Sequence, residues 1–183
     1  MHRLWALALV LLSASGRVTD ANDAMVNTDR QVLVAVTTDL CAHTKVGYQV
    51  LAMSASSGYV PIAFDGVNAA GLKDSVRRSA NLPALPTGIG CSRLRPASNA
   101  MIAKTFDESG KIPPDWSDFY AAFPGAKGLI RLSLPGYSAD ATVAVVLVSG
   151  SCNNLCGSGS AWELRRTSGD TWHVYKKVGT WIA

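Results

Sequence analysis

The sequence predicts an α+β domain in which N-terminal helices pack on a C-terminal antiparallel β-meander. Three observations carry that expectation. Apolar residues recur at helical spacing through much of the chain up to Phe123. Four runs of strand character then follow one another from Leu129 to Val178. The breaks between them are short, with Pro135-Gly136 and Ser168-Gly169-Asp170 as turn signals. The chain has 183 residues, 48% hydrophobic and 16% charged, which is enough apolar material for one core. No internal repeat or low-complexity linker divides it.

The first residues have the form of a secretory signal peptide. Met1, His2 and Arg3 make a short basic start, and Leu4 to Leu12 is an apolar run. Nine residues of helix rise ~13 Å, against ~30 Å for a bilayer core, so the run is too short to span. Small residues at Gly16, Ala21 and Ala24 offer cleavage points, and the pattern does not choose among them. The expected organisation is a leader over residues 1–24 and a single domain over 25–183. The competing reading of the apolar run is a buried N-terminal helix.

A helix is expected from about Asp29 to Ala42. Thr28-Asp29-Arg30-Gln31 has the form of a capping box, and Val32, Leu33, Val36 and Leu40 share one helical face. The β-branched density of Val32, Val34, Val36, Thr37 and Thr38 argues for a strand instead. Gly47 to Ser54 is short and apolar and reads as a strand, and Tyr59 to Phe64 reads as loop or a further short strand. Leu72, Val76 and Ala80 mark a short amphipathic helix ended by Pro83. Leu82 to Pro96, rich in proline and glycine, reads as loop. Another helix is expected to open near Ser98, carrying Met101, Ile102 and Phe106. Asp115 is placed to cap a helix bearing Trp116, Phe119, Tyr120 and Phe123. That aromatic stripe is explained more simply by core packing than by a ligand box.

The strands of the meander are expected at Leu129 to Leu134, Thr142 to Val148, Ser160 to Arg166 and Thr171 to Val178. Gly136 and Gly157 suit turn conformations. Tyr137, Ser138 and Asp140 fall between the first two strands, where such side chains cap their own turn.

Four cysteines in an exported chain are expected to form structural disulfides. Three connectivities exist and spacing alone does not select one. The pairing favoured is Cys152 with Cys156, across a turn of three residues, and Cys41 with Cys91. A redox pair would have two intervening residues at a helix start, and zinc would need more ligands than His43 and His173 supply.

The formal charge is +4, and removing residues 1–24 takes away Arg3, Arg17, Asp20 and Asp23, leaving it unchanged. The cations are dispersed over Lys73, Arg77 and Arg78, Arg93 and Arg95, Arg165 and Arg166, and Lys176 and Lys177. No stripe with interleaved aromatics forms, which argues against a nucleic-acid partner and leaves at most a weak preference for anionic envelope polymers.

The run Trp116-x-x-Phe119-x-x-x-Phe123-Pro124-x-x-x-Gly128, followed by Leu132-Ser133-x-x-Gly136-Tyr137-Ser138-x-Asp140, continues through Ala144-Val145-Val146-Leu147-Val148-Ser149 and Cys152-x-x-Leu155-Cys156-Gly157-x-Gly159. With Leu164, Gly169, Trp172-x-Val174 and Trp181, it resembles a group of uncharacterised secreted proteins of proteobacteria, over residues 115–183. The resemblance implies export and a strand meander. It implies no site.

No catalytic constellation stands out. G-x-S-x-G does not occur, and Gly157-Ser158-Gly159-Ser160 reads as the composition of a hairpin loop, without the Lys of a phosphate-binding loop. Asp107, Glu108, Asp115 and Asp118 have no spacing that glycoside cleavage requires. His43 and His173 have no orienting partner beside them in sequence. No cofactor or metal is required by any motif. The expected function is a periplasmic or secreted binding or inhibitory module acting on an envelope or secreted protein. The alternatives are an envelope hydrolase using His173 or the 107–118 carboxylates, and a structural accessory protein.

Overall fold

The structure is a computed structural model, and it describes residues 16–54, 66–81, 83–107, 116–153 and 156–182. In chain order the elements are α1 (Gly16–His43), β1 (Tyr48–Met53), α2 (Ala69–Arg78), β2 (Leu94–Pro96), α3 (Asn99–Asp107), α4 (Trp116–Ala122), β3 (Ala126–Leu132), β4 (Gly136–Tyr137), β5 (Val143–Asn153), β6 (Cys156–Arg166) and β7 (Trp172–Ile182). The expectation at Tyr59 to Phe64 lies outside the described residues, as do Glu108, Asp115 and the apolar run Leu4 to Leu12. Among the described residues no helix is long and apolar enough to cross a membrane.

The expected meander is present. Strands β3, β5, β6 and β7 pair antiparallel in that spatial order, and short β4 pairs with β5. The sheet then continues beyond the meander: β1 lies parallel to β3, and β2 lies parallel to β1 at the edge. Strand β2 falls in a stretch read as loop. It is only three residues long and ends in Pro96, and an edge strand tolerates a residue without an N–H.

Side chains alternate across the sheet, so each strand feeds two cores. One face carries Leu51, Met53, Leu132, Ala144, Val146, Val148, Trp162 and Leu164, packed under Val32, Leu33 and Val36 of α1. The other face carries Val50, Ala52 and Leu129 under Ile102 of α3 and Phe119 of α4, with Val145 and Ala161 under Leu72 of α2. Helices thus cover both faces. Val32, Leu33 and Val36 are fully buried, as the helical spacing predicts, which decides the helix over the strand for this segment.

The start of α1 differs from expectation. Thr28 does not cap it; its hydroxyl donates to the Ala24 carbonyl at 2.9 Å, bonding back into a turn that is already helical. The helix instead begins at Gly16. Phe119 is the hub of the aromatic stripe: the rings of Trp116, Tyr120, Phe123 and Phe106 lie 5.1 to 5.7 Å from it. The stripe is core, with an interaction geometry favoured by aromatic quadrupoles.

Helix α2 buries Leu72 as expected, but it buries serines rather than the Val76 and Ala80 that continue the expected row. Ser75 and Ser79 are both fully buried, whereas Ala80 is exposed. The chain at 133–136 passes too close for larger residues, and the hydroxyls bond it. Ser75 Oγ donates to the Leu134 carbonyl at 2.7 Å, and the Leu134 N–H donates to Ser79 Oγ at 2.8 Å. The helix ends at Arg78, ahead of Pro83. Gly136 serves that same close approach rather than a turn: a Cβ there would overlap the Ser75 nitrogen and the Gly71 carbonyl oxygen. Gly157 lies within β6, opposite Ser151, and not in a turn. Ser138 and Asp140 do close the β4–β5 turn, with the Val143 N–H on Ser138 Oγ and the Thr142 N–H on Asp140. The Ser138 hydroxyl, which donates to Asp140, and then the Thr142 N–H hold the Asp140 carboxyl below the usual carboxylate range.

The sulfurs of Cys41 and Cys91 lie at disulfide distance, with Cα atoms 6.5 Å apart, and so do those of Cys152 and Cys156, with Cα atoms 5.2 Å apart. The first pair ties the end of α1 to the segment before β2. Arg93 strengthens that junction by donating to the Cys41 and Thr44 carbonyls at 3.2 and 3.0 Å, where the end of a helix leaves acceptors unpaired.

Candidate functional site

Between α1 and the start of β7 runs an open groove of about 760 Å³. Its floor and one wall come from α1, because Arg30, Gln31, Val34, Ala35, Thr38, Asp39 and Ala42 follow the helical repeat beside the buried stripe. The other wall is Asp170 to Val174, which the hairpin turn after β6 delivers; Asp170 takes a φ of 57° to make that turn. Gly88 completes the lining.

The segment bearing Gly88 is held onto α1. Arg30 donates its Nε–H to the Thr87 carbonyl at 3.1 Å, and Cys91 is bonded to Cys41 a few residues on. Gly88 has a φ of 74°, and a Cβ there would sit 3.0 Å from the Arg30 guanidinium, so glycine suits both the backbone and the space.

One end of the groove is fixed by a buried polar cluster. Both Arg78 Nη atoms bond the Asp29 carboxylate, at 2.9 and 2.7 Å, and the Tyr137 hydroxyl donates to the same group at 2.8 Å. The cluster joins α2, α1 and β4. Burial, and then the Asp29 charge, push the Tyr137 hydroxyl well above its ordinary pKa, so it stays protonated as a donor. The Tyr137 ring lies 5.9 Å from that of Trp172, which brings Trp172 to the Asp29–Arg30 end of α1. Farther along, Lys177 of β7 pairs with Asp39 and lies 4.1 Å over the Trp162 ring.

The groove's charges are unevenly satisfied. Asp39 is paired with Lys177, and Asp170 with Arg166 at 3.0 Å. Among the described residues no carboxylate pairs with Arg30. Trp172 is 8% exposed, and its Nε1–H is buried with no hydrogen-bond acceptor. An indole N–H in that position normally finds a partner.

Of the residues considered from the sequence, His173 lines this groove. His43 sits at the end of α1, exposed, with Nδ1 2.7 Å from the Asp39 carbonyl oxygen. Asp107 ends α3 and Asp118 lies exposed on α4, in the other helix layer, so neither joins His173. Glu108 and Asp115 are outside the described residues. Gly157, Ser158, Gly159 and Ser160 belong to β6, paired with Ser151 to Val148, rather than to a hairpin loop. Among the described residues no group of His, Cys, Asp and Glu is placed to hold a metal ion. Arg30 and Trp172 carry no catalytic signature in sequence, and only the groove singles them out. No family model, curated protein or solved structure matches the chain.

Proposed function

We propose that this chain is an exported binding module, periplasmic or secreted, whose binding element is the groove between α1 and β7. The carrying observation is a groove of about 760 Å³ with Val34, Ala35, Ala42 and Val174 along it and an unsatisfied indole donor at one end. Its volume lies within the ~300–1,000 Å³ typical of small-molecule sites, and its lining sets apolar side chains beside polar and charged ones that orient an occupant. Two cysteine pairs at disulfide distance support an oxidising compartment. The resemblance of residues 115–183 to secreted proteobacterial proteins supports export. The same groove would serve an inhibitory module by receiving a side chain of an envelope protein, but its size favours a small occupant.

The neutral fluorophore N-phenyl-1-naphthylamine tests the reading. It should bind the purified protein saturably, and Val34→Trp, at a partly exposed position, should abolish that binding while leaving thermal stability intact. Unchanged binding in the variant would place the probe elsewhere and remove the groove from the proposal. His173 in the wall keeps hydrolysis as the competing reading. Turnover of esters, peptides or peptidoglycan that disappears in a folded His173→Ala protein would replace binding by catalysis.

A further inference from the structure

We infer that the groove takes a small amphipathic carboxylate, with its charged head at Arg30 and Trp172 and its apolar body lying along α1 toward Ala42. The inference rests on the groove being a binding site and adds the chemistry and direction of the occupant.

The direction follows from how the groove's polar groups are distributed. Arg30 to Ala42 covers about 18 Å of helix. At the Arg30 end the guanidinium uses its Nε–H on the Thr87 carbonyl and meets no carboxylate among the described residues. Trp172, brought to that end through Tyr137 and Asp29, holds an N–H without an acceptor. An indole N–H without an acceptor and the guanidinium N–H groups beyond the one on Thr87 favour a ligand group that only accepts, and an ionised carboxylate is such a group. At the other end the carboxylate of Asp39 is already neutralised by Lys177. Between the ends, Val34, Ala35 and Val174 offer apolar surface, with Gln31, Thr38 and His173 as the polar side chains beside them. A cationic head would face Arg30 directly, and an apolar body covers the valine and alanine surface. The lone acyl chain with a carboxylate head is therefore the complementary shape and charge.

The experiment compares decanoate, decanol and decylamine, all below their micellar concentrations, on the disulfide-intact full chain. Amide and indole N–H resonances are followed by NMR, and the Trp172 indole signal is assigned by its disappearance in Trp172→Phe. Decanoate should bind saturably, perturb Val34, Val174 and the Trp172 indole N–H, and bind about tenfold more tightly than decanol, as expected for one charge-assisted hydrogen-bonded pair. Arg30→Gln should erase that difference, so that decanoate and decanol bind the variant with equal affinity. Equal affinities for decanoate and decanol at the groove would overturn the carboxylate assignment and leave the groove standing. Preferential binding of decylamine would overturn it outright. If none of the three probes perturbs Val34 or Val174, the groove reading itself fails, and this inference with it.

Discussion

Arg78 grips both carboxylate oxygens of Asp29, joining α2 to α1 through a pair whose side chains are only 14% and 9% exposed. Neither helix touches the other's apolar core, since α1 packs on one sheet face and α2 on the other. The ion pair therefore bridges the two layers around the end of the sheet, with Tyr137 of β4 as its third member.

Removing one member should be far worse than removing both. Arg78→Met leaves a buried carboxylate without its cation, and such losses cost roughly 3–5 kcal/mol. The double variant Asp29→Leu with Arg78→Met exchanges the pair for apolar packing and should cost clearly less than either single change. Urea midpoints at unchanged m-value measure both. Additive single costs would mean that the pair is not coupled.

Tyr137 makes the fold sensitive to alkali. Its pKa in the folded state is raised above the unfolded value of about 10, so the folded state holds this proton more tightly. Its contribution is fully present below pH about 10 and is lost progressively as pH rises above it. An absorbance titration of tyrosinate should show one component that appears only on unfolding. In Tyr137→Phe that component should vanish, and the fall of stability above pH about 10 should flatten, at the cost of the bond to Asp29.

Gly136→Ala should destabilise severely. The added methyl would overlap backbone atoms of Ser75 and Gly71, and backbone cannot swing aside as a side chain can. Overpacking costs about 1–3 kcal/mol in ordinary cores and more where the neighbour is rigid, so a loss at or above the top of that range is expected. Gly169→Ala is the control, since a Cβ there meets nothing within 4 Å. Thermal unfolding of the two variants separates close packing from a general sensitivity to added side chains.

What the sequence made legible was what local spacing encodes. The helical repeat at Val32, Leu33 and Val36, the aromatic stripe around Phe119 and the strand runs of the meander all report burial of successive residues on one face. The capping pattern at Thr28 misled because its hydroxyl has a second option, the carbonyl four residues back, and helix on its N-terminal side selects that option. The serine face of α2 was hidden because its partner is the backbone at 133–136, which leaves no hydrophobic pattern. The parallel insertion of β1 between β2 and β3 is a long-range pairing that no local period records. The groove was unreadable for the same reason: Arg30 and Trp172 are remote in sequence, and what distinguishes them is a guanidinium without a carboxylate among the described residues and an indole N–H without an acceptor.

The two disulfide pairs should differ in what their loss does. In the chain-entropy model the 41–91 link restrains a loop of about 50 residues and contributes roughly 4 kcal/mol, whereas the short 152–156 link contributes roughly 2. Position widens the gap. Cys91 anchors the segment that places Thr87 and Gly88 beside Arg30, so Cys41→Ser with Cys91→Ser should also weaken N-phenyl-1-naphthylamine binding. Cys152→Ser with Cys156→Ser acts at the far end of the β5–β6 hairpin and should leave that binding unchanged. Peptide mapping without reductant should recover fragments joined through 41–91 and through 152–156. A 41–152 fragment from the native protein would contradict the layout, and equal loss of probe binding in both double variants would show that the groove depends on global stability instead of on the segment held at Cys91.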